Sequence, residues 1–136
     1  MFVSVFRDVR PRLIEYLKLL YQQGWSFHST EGTHDYLAKH GITSRFVYKI
    51  SDHRKPSAAE LIVEHKVGFM LNIPQNRSHQ SSDQKTDGFI MRRLAIDHHM
   101  PLITNLQSAQ LMLHALTELY EEMAEPKSWQ TFMKSK

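Results

Sequence analysis

The sequence contains no cysteine, which excludes disulfide bonds, thiolate catalysis and cysteine-ligated zinc. No apolar run approaches the roughly 20 residues that a membrane-spanning helix requires, so we expect no membrane partner. The apolar start, residues 1–6, is followed at once by basic residues, whereas a signal peptide carries its charges before a longer apolar stretch. These absences are compatible with a cytoplasmic protein, and we interpret residues 2–6 as a buried strand.

The composition is that of one soluble globular domain. Its 136 residues are 41% hydrophobic and 23% charged, and we assign 1–124 to the domain and 125–136 to a loosely attached tail. A net charge of +3 suits a small anionic ligand but not a nucleic-acid partner, which would require a denser basic surface. The 9 histidines show no metal-binding spacing, so we expect no metal and no cofactor.

Apolar segments of strand length alternate with amphipathic segments of helical length. The predicted strands are 2–6, 25–28, 45–50, 68–71 and 101–104. Helices are predicted to start at Pro11 and after caps at Ser57, Asp87 and Asn105, and 72–86 is predicted to be a long polar loop. The alternation favours an α/β fold with a parallel sheet covered on both faces, in which ligands bind at the carboxyl ends of the strands.

A turn at Thr30–Thr33 follows the second predicted strand and leads into a helix. The first backbone N–H groups of a helix have no partner within it and carry partial positive charge. Gly32 lets the backbone approach a ligand, and the hydroxyls of Thr30 and Thr33 add two donors. The residues fit either an anion site or a simple helix cap, and the short motif does not separate the two.

Other strand ends supply further polar groups. Ser4 and Arg10 belong to the end of the first strand, Lys49 follows the third, and Asn72 ends the fourth. Each of them also has an ordinary interpretation as a solvated charge or a turn residue. Their convergence, with no obvious acid expected at the same place, favours a site for a phosphate or carboxylate.

Four segments in order resemble the methylglyoxal-synthase-like (MGS-like) domain, and especially the regulatory domain at the carboxyl end of the carbamoyl phosphate synthetase large subunit. Residues 24–33 resemble that family's Gly-aromatic…Ala-Thr-x-Gly-Thr stretch, and 70–74 resemble its Ile-Asn-x-Pro segment. Residues 87–97 resemble Asp-x-x-x-Ile-Arg-Arg-x-Ala-Ile-Asp, and 101–106 resemble Ile-Pro-Leu-x-Thr-Asn. Together they span most of the predicted core.

The resemblance implies a three-layer Rossmann-like sandwich with a five-stranded parallel sheet and a site for a phosphorylated effector such as a nucleotide monophosphate. It assigns effector binding to Ser4, Arg10, Thr30, Gly32, Thr33, Lys49 and Asn72, with Gln75, Arg92 and Asn105 as further candidates. It also implies the catalytic domains of carbamoyl phosphate synthetase as partners, unless the chain is a stand-alone relative, and allows a homo-oligomer.

Two alternatives remain within the resemblance. An acetylglutamate-binding branch has a Trp after the third strand and extra Asn residues, where this chain has Lys49, Gln75 and Gly88. Methylglyoxal synthases, which are lyases acting on dihydroxyacetone phosphate, have a catalytic Asp in a glycine-rich stretch. That stretch is replaced here by 51–56, in which Asp52 is the only acid. We therefore predict a phosphorylated ligand and no catalytic residue.

Overall fold

The structure, a computed structural model, describes residues 1–75 and 86–123, with side chains up to 118. The predicted tail, 125–136, and most of the predicted polar loop lie outside the described residues. The strands are β1 (Phe2–Val5), β2 (Phe27–Ser29), β3 (Ser44–Phe46), β4 (Met70–Ile73) and β5 (Leu102–Ile103). The helices are α1 (Ile14–Gln22), α2 (Glu31–Lys39), α3 (Ala58–Val63), α4 (Asp87–Asp97) and α5 (Leu106–Met123).

The five strands form one sheet in the order β3-β2-β1-β4-β5, and every pairing is parallel. This confirms the predicted α/β class and the five-stranded parallel sheet. Each strand connects to the next through at least one helix, as parallel pairing requires. The order runs outward from β1 in one direction and from β4 in the other, so the sheet has a switch point between these two central strands.

Helices cover both faces of the sheet. On one face, β1 and β4 contribute Val3 and Leu71 to a buried cluster that includes residues of α1 and α5. On the other face, Phe2 and Met70 of the same strands pack with residues of α3 and α4. The central strands are therefore apolar on both sides, which is typical of a parallel sheet, and the predicted three layers are confirmed. Within the described residues, no helix is both long and apolar enough to cross a membrane.

All five strands differ from their predicted bounds, and β2, β3 and β4 differ by two residues or more at one end. β4 begins at Met70 and continues to Ile73, so Asn72 lies within the strand and not at the start of a loop. β3 ends at Phe46 because the chain then turns, and Tyr48 pairs only in a single bridge with Ser57. β2 is shifted towards Ser29. Apolar runs marked the strands, but the polar residues that continue a strand into a binding site carry no apolar signal.

Helix starts also required correction. α2 begins at Glu31, so the predicted turn at 30–33 is a helix N-cap followed by the first turn of the helix. α4 is capped by Thr86, whose Oγ1 accepts from the Phe89 N–H, and Asp87 is its first residue. Pro11 lies in a separate 3₁₀ turn at 10–12, ahead of α1. The caps predicted at Ser57 and Asn105 are confirmed by hydrogen bonds from the backbone N–H groups of Glu60 and Ser108.

Candidate functional site

A cleft of about 690 Å³ opens at the carboxyl ends of β1 and β4. This is the switch point of the sheet, where connections leave in opposite directions and a crevice forms without any special loop. Nine of the ten predicted site residues line the cleft: Ser4, Arg10, Thr30, Gly32, Thr33, Lys49, Asn72, Gln75 and Arg92. The tenth, Asn105, does not line it, because its side chain caps α5 through the Ser108 N–H at 2.8 Å.

The hydroxyl groups in the cleft have different roles. Ser4 Oγ and Thr30 Oγ1 are 2.9 Å apart and hydrogen-bond to each other. Thr33 is buried, and its Oγ1 accepts the Val5 N–H at 3.2 Å, which ties α2 to the end of β1. Thr33 therefore serves the fold in this structure. The Ser4–Thr30 pair is the one in which each hydroxyl has a second direction available for a ligand.

The start of α2 is open to a ligand. Thr30 occupies the N-cap position, but its side chain bonds to Ser4 and does not cap the helix. Glu31 and Gly32, the first two helical residues, line the cleft. The first N–H groups of a helix have no partner within it, so an uncapped first turn at the cleft wall favours a bound anion.

Arg10 lies across this helix start. Its Nε donates to the Val5 carbonyl at 3.0 Å, which orients the guanidinium. A Cβ added at Gly32 would lie 2.8 Å from one terminal nitrogen of Arg10, so glycine leaves the space that the guanidinium occupies. Burial lowers the pKa of Arg10, while Tyr36 and Asp35 act in the opposite direction. Because an arginine is charged over the whole physiological range, this guanidinium remains a cation in the wall of the cleft.

A second guanidinium reaches the cleft from α4. Arg92 donates from Nη1 to Asn72 Oδ1 at 2.6 Å, and Asn72 is opposite Ser4 in the register of β1 and β4. A Cβ at Gly88 would lie 3.2 Å from the same nitrogen, so Gly88 leaves room for it. Burial lowers the pKa of Arg92. Its neighbour Arg93 points elsewhere and pairs with Asp97 at 3.1 Å on the surface.

The cleft also contains acids, contrary to the prediction that none would lie there. Glu31 and Asp35 line it from exposed positions on α2, and Asp87 lines it from the start of α4. The Asp87 carboxylate accepts the backbone N–H of Ser51 at 2.9 Å and its hydroxyl at 2.7 Å. Asp35 is not at a strand end in the sequence, so the strand-end positions do not predict it. It reaches the cleft because it lies about one helical turn after Glu31 on α2.

The acids and the two arginines lie at different depths in the cleft. The exposed Lys49 joins the acids at the rim, whereas Arg10 and Arg92 are half buried. In the described part of the chain, neither arginine has a carboxylate within ion-pair distance. The inner part of the cleft is therefore positive. It is lined by hydrogen-bond donors from β1, from the 3₁₀ turn at 10–12, from the start of α2 and from α4. Such a wall can hold an anion through charge-assisted hydrogen bonds, which are stronger than neutral ones.

Asp52, the acid that the lyase alternative would need, lies outside this cleft. It is exposed, and one of its carboxylate oxygens accepts the Lys49 backbone N–H at 3.1 Å. It lines a smaller hollow of about 290 Å³ that shares Glu31 and Lys49 with the cleft, and there Arg54 stacks 4.2 Å above the Tyr48 ring. Among residues 1–75 and 86–123, no group of three histidine or acidic side chains could hold a metal ion.

Comparison with known proteins gives one consistent relationship. The profile of the MGS-like domain matches residues 12–104. The carbamoyl phosphate synthase large chain of Thermoplasma volcanium is 35% identical over 108 residues, which are 79% of this chain and 10% of that protein. The large chain of Myxococcus xanthus is 30% identical over 97% of this chain and 12% of its own length. The C-terminal section of the Aquifex aeolicus large chain is 24% identical over 93% of this chain and 22% of that section.

Proposed function

Because this chain belongs to the MGS-like domain family, we propose that it binds a small phosphorylated effector, such as a nucleotide monophosphate, in the switch-point cleft. The chain spans about a tenth of the length of the Thermoplasma volcanium and Myxococcus xanthus large chains. We further propose that it acts as the regulatory domain of such a synthetase, or of a stand-alone relative. The catalytic domains are then its partners, and the bound effector changes their activity.

The observation that carries the proposal is the pair of half-buried guanidiniums, which have no carboxylate within ion-pair distance in the described part of the chain. A guanidinium that loses part of its hydration needs compensation. Within the described residues, Arg10 and Arg92 donate to a carbonyl and an amide oxygen and form no ion pair. Both line the same cleft as the uncapped start of α2. A phosphate has several acceptor oxygens, which suits a cleft lined by arginine donors and by the N–H groups of a helix start.

Binding accounts for this geometry better than catalysis. A general base must lie within hydrogen-bond reach of the proton that it removes. Asp52 lies in the adjoining hollow, on the solvent side, and not in the cleft that contains the two arginines. Asp87, the acid in the cleft that is not fully exposed, is already bonded twice to Ser51. Neither of these carboxylates is placed to act on a ligand held by the arginines, and Glu31 and Asp35, the other acids that line the cleft, are exposed at its rim.

The test is calorimetric titration of the chain with uridine and inosine monophosphates, with acetylglutamate as the non-phosphorylated arm. We expect saturable binding of a monophosphate, weakened about tenfold or more by Arg92→Ala. Arg93→Ala is the matched control, because Arg93 is on the same helix but pairs with Asp97 outside the cleft. Absence of binding to any phosphorylated ligand by a folded sample, or equal effects of the two substitutions, would refute the proposal.

A further inference from the structure

One row of residues in register across the sheet is apolar at the central strands and polar towards the β3 edge. Phe2 of β1 is in register with Met70 of β4 on one side and with His28 of β2 on the other, and His28 is in register with Arg45 of β3. Side chains in register on a parallel sheet lie on the same face. Phe2 and Met70 are buried under α3 and α4, so His28 and Arg45 lie on that face too.

These two polar residues mark the part of the face that the helices leave uncovered. A parallel sheet in an α/β protein is normally apolar on both faces, because helices cover both. The buried cluster under α3 and α4 contains residues of β1 and β4 but none of β2 or β3. Beside it is a cavity of about 450 Å³, bounded by His28, Arg45, Phe46, Pro56 and Leu61. It shares no lining residue with the switch-point cleft.

Of the lysine and arginine side chains that line this cavity, Arg45 is the one without an ion pair within the described residues. Lys55 pairs with Glu60 at 2.9 Å, and Lys66 pairs with Glu64 at 2.6 Å. Arg45 has no ion pair or hydrogen bond within the described residues and is exposed at the cavity wall. A guanidinium is planar and presents its donors in a fork that matches a carboxylate. The guanidinium of Arg45 is therefore available to a carboxylate, and it lies beside the apolar residues Pro56 and Leu61.

His28 reports the same positive surroundings. Its Nδ1 is buried and has no hydrogen-bond partner within the described residues. Burial lowers the pKa of His28, and the positive amino terminus and Arg45 lower it further. The other charged side chains that line this cavity are Lys55, Glu60 and Lys66, and Glu64 is paired with Lys66. Because its positive neighbours disfavour the protonated ring, an anion bound at Arg45 raises the pKa of His28.

We propose that this cavity is a second ligand site, for a monocarboxylate with an apolar body. The carboxylate pairs with Arg45, and the body lies against Pro56 and Leu61. One uncompensated cation fits one negative charge. The volume is within the roughly 300–1,000 Å³ typical of small-molecule sites.

The test uses the whole chain and 3-phenylpropionate as probe, followed by NMR shifts of the His28 ring and the Arg45 side chain. We expect saturable shifts with a dissociation constant below about 10 mM and an upward shift of the His28 pKa. The neutral analogue 3-phenylpropanol and the variant Arg45→Gln should each weaken binding about tenfold. Arg93→Gln is the matched control and should leave the affinity unchanged.

Three results would overturn the inference: no saturable shift, equal binding by Arg45→Gln, or equal shifts with inorganic phosphate alone, which would indicate a general anion surface. The outcome is independent of the effector proposal. Arg92→Ala should leave the probe's affinity at this cavity unchanged, because Arg92 lines only the other cleft. Arg45→Gln should likewise leave nucleotide binding unchanged.

Discussion

Gly32→Ala should separate stability from effector binding. Gly32 is the second residue of α2, and its backbone is not in the left-handed region that alanine avoids. The nearest atoms to an added Cβ are the guanidinium atoms of Arg10, at 2.8 to 3.5 Å. A contact of 2.8 Å cannot persist, and the atom that yields is the end of a flexible side chain. The helix therefore accepts the methyl group, and Arg10 moves away from the cleft wall.

The two effects have opposite signs and different sizes. Alanine in place of glycine stabilises a helix by about 0.5–1 kcal/mol, mostly because the unfolded chain loses less entropy on folding. At this chain length the gain corresponds to a rise in Tm of about 2–5 °C. Displacing one charge-assisted contact should cost about 1–2 kcal/mol of effector binding, a loss of affinity of about fivefold to thirtyfold. A variant that folds better should therefore bind worse.

Urea unfolding measures the first quantity, and calorimetric titration with a nucleotide monophosphate measures the second. Gly68→Ala is the matched control, since no atom lies within 4 Å of its added Cβ and it is outside the cleft. Unchanged affinity in a stabilised Gly32→Ala variant would refute the role given to Arg10. A loss of stability would instead show that Arg10 cannot move, and that its bond to the Val5 carbonyl is needed by the fold.

Three further outcomes are expected. Thr33→Val leaves the buried Val5 N–H without an acceptor and should lower the free energy of unfolding by about 1–3 kcal/mol in urea, whereas Thr33→Ser should retain most of it. Ser57→Ala removes the acceptor of the Glu60 N–H and should cost about 0.5–2 kcal/mol, measured in the same way. The folded state lowers the pKa of His28, so the unfolded chain binds more protons and stability falls as pH drops below about 6.5. His28→Gln should flatten that slope, and a slope equal to that of the original chain would assign the pH dependence to another group.

The fold was largely predictable because its signals are local and repeated. Five apolar runs alternating with amphipathic segments indicate a parallel sheet, and the caps at Ser57 and Asn105 follow from residue type and spacing. The boundaries were less predictable where a strand enters the site. Asn72 is polar yet buried in β4, where its side chain accepts a hydrogen bond from the half-buried Arg92, which lies twenty positions later on a helix.

The cleft residues were predictable in part for the same reason. Strand ends follow from the sequence, so Ser4 and Lys49 could be placed near each other from the sheet rule alone. Which of Arg92 and Arg93 turns inward depends on the phase of α4, and adjacent helical residues point about 100° apart. The sequence pattern did not fix that phase because Phe89 and Ile96 are apolar yet exposed. Gly88 and Asp87 also line the cleft because they are the first residues of the same helix.

The contacts between the cleft residues suggest which of them determine the affinity for an anion and which determine the selectivity. Ser4 and Thr30 already hydrogen-bond to each other, so a ligand that replaces that bond gains only the difference between two hydrogen bonds. Within the described residues Arg10 and Arg92 form no ion pair, so an anion gains a charge-assisted interaction there without displacing a carboxylate. The arginines should then set how tightly any suitable anion binds. The hydroxyl pair should set which anion binds, because only a ligand with an oxygen placed between Ser4 and Thr30 recovers what it displaces.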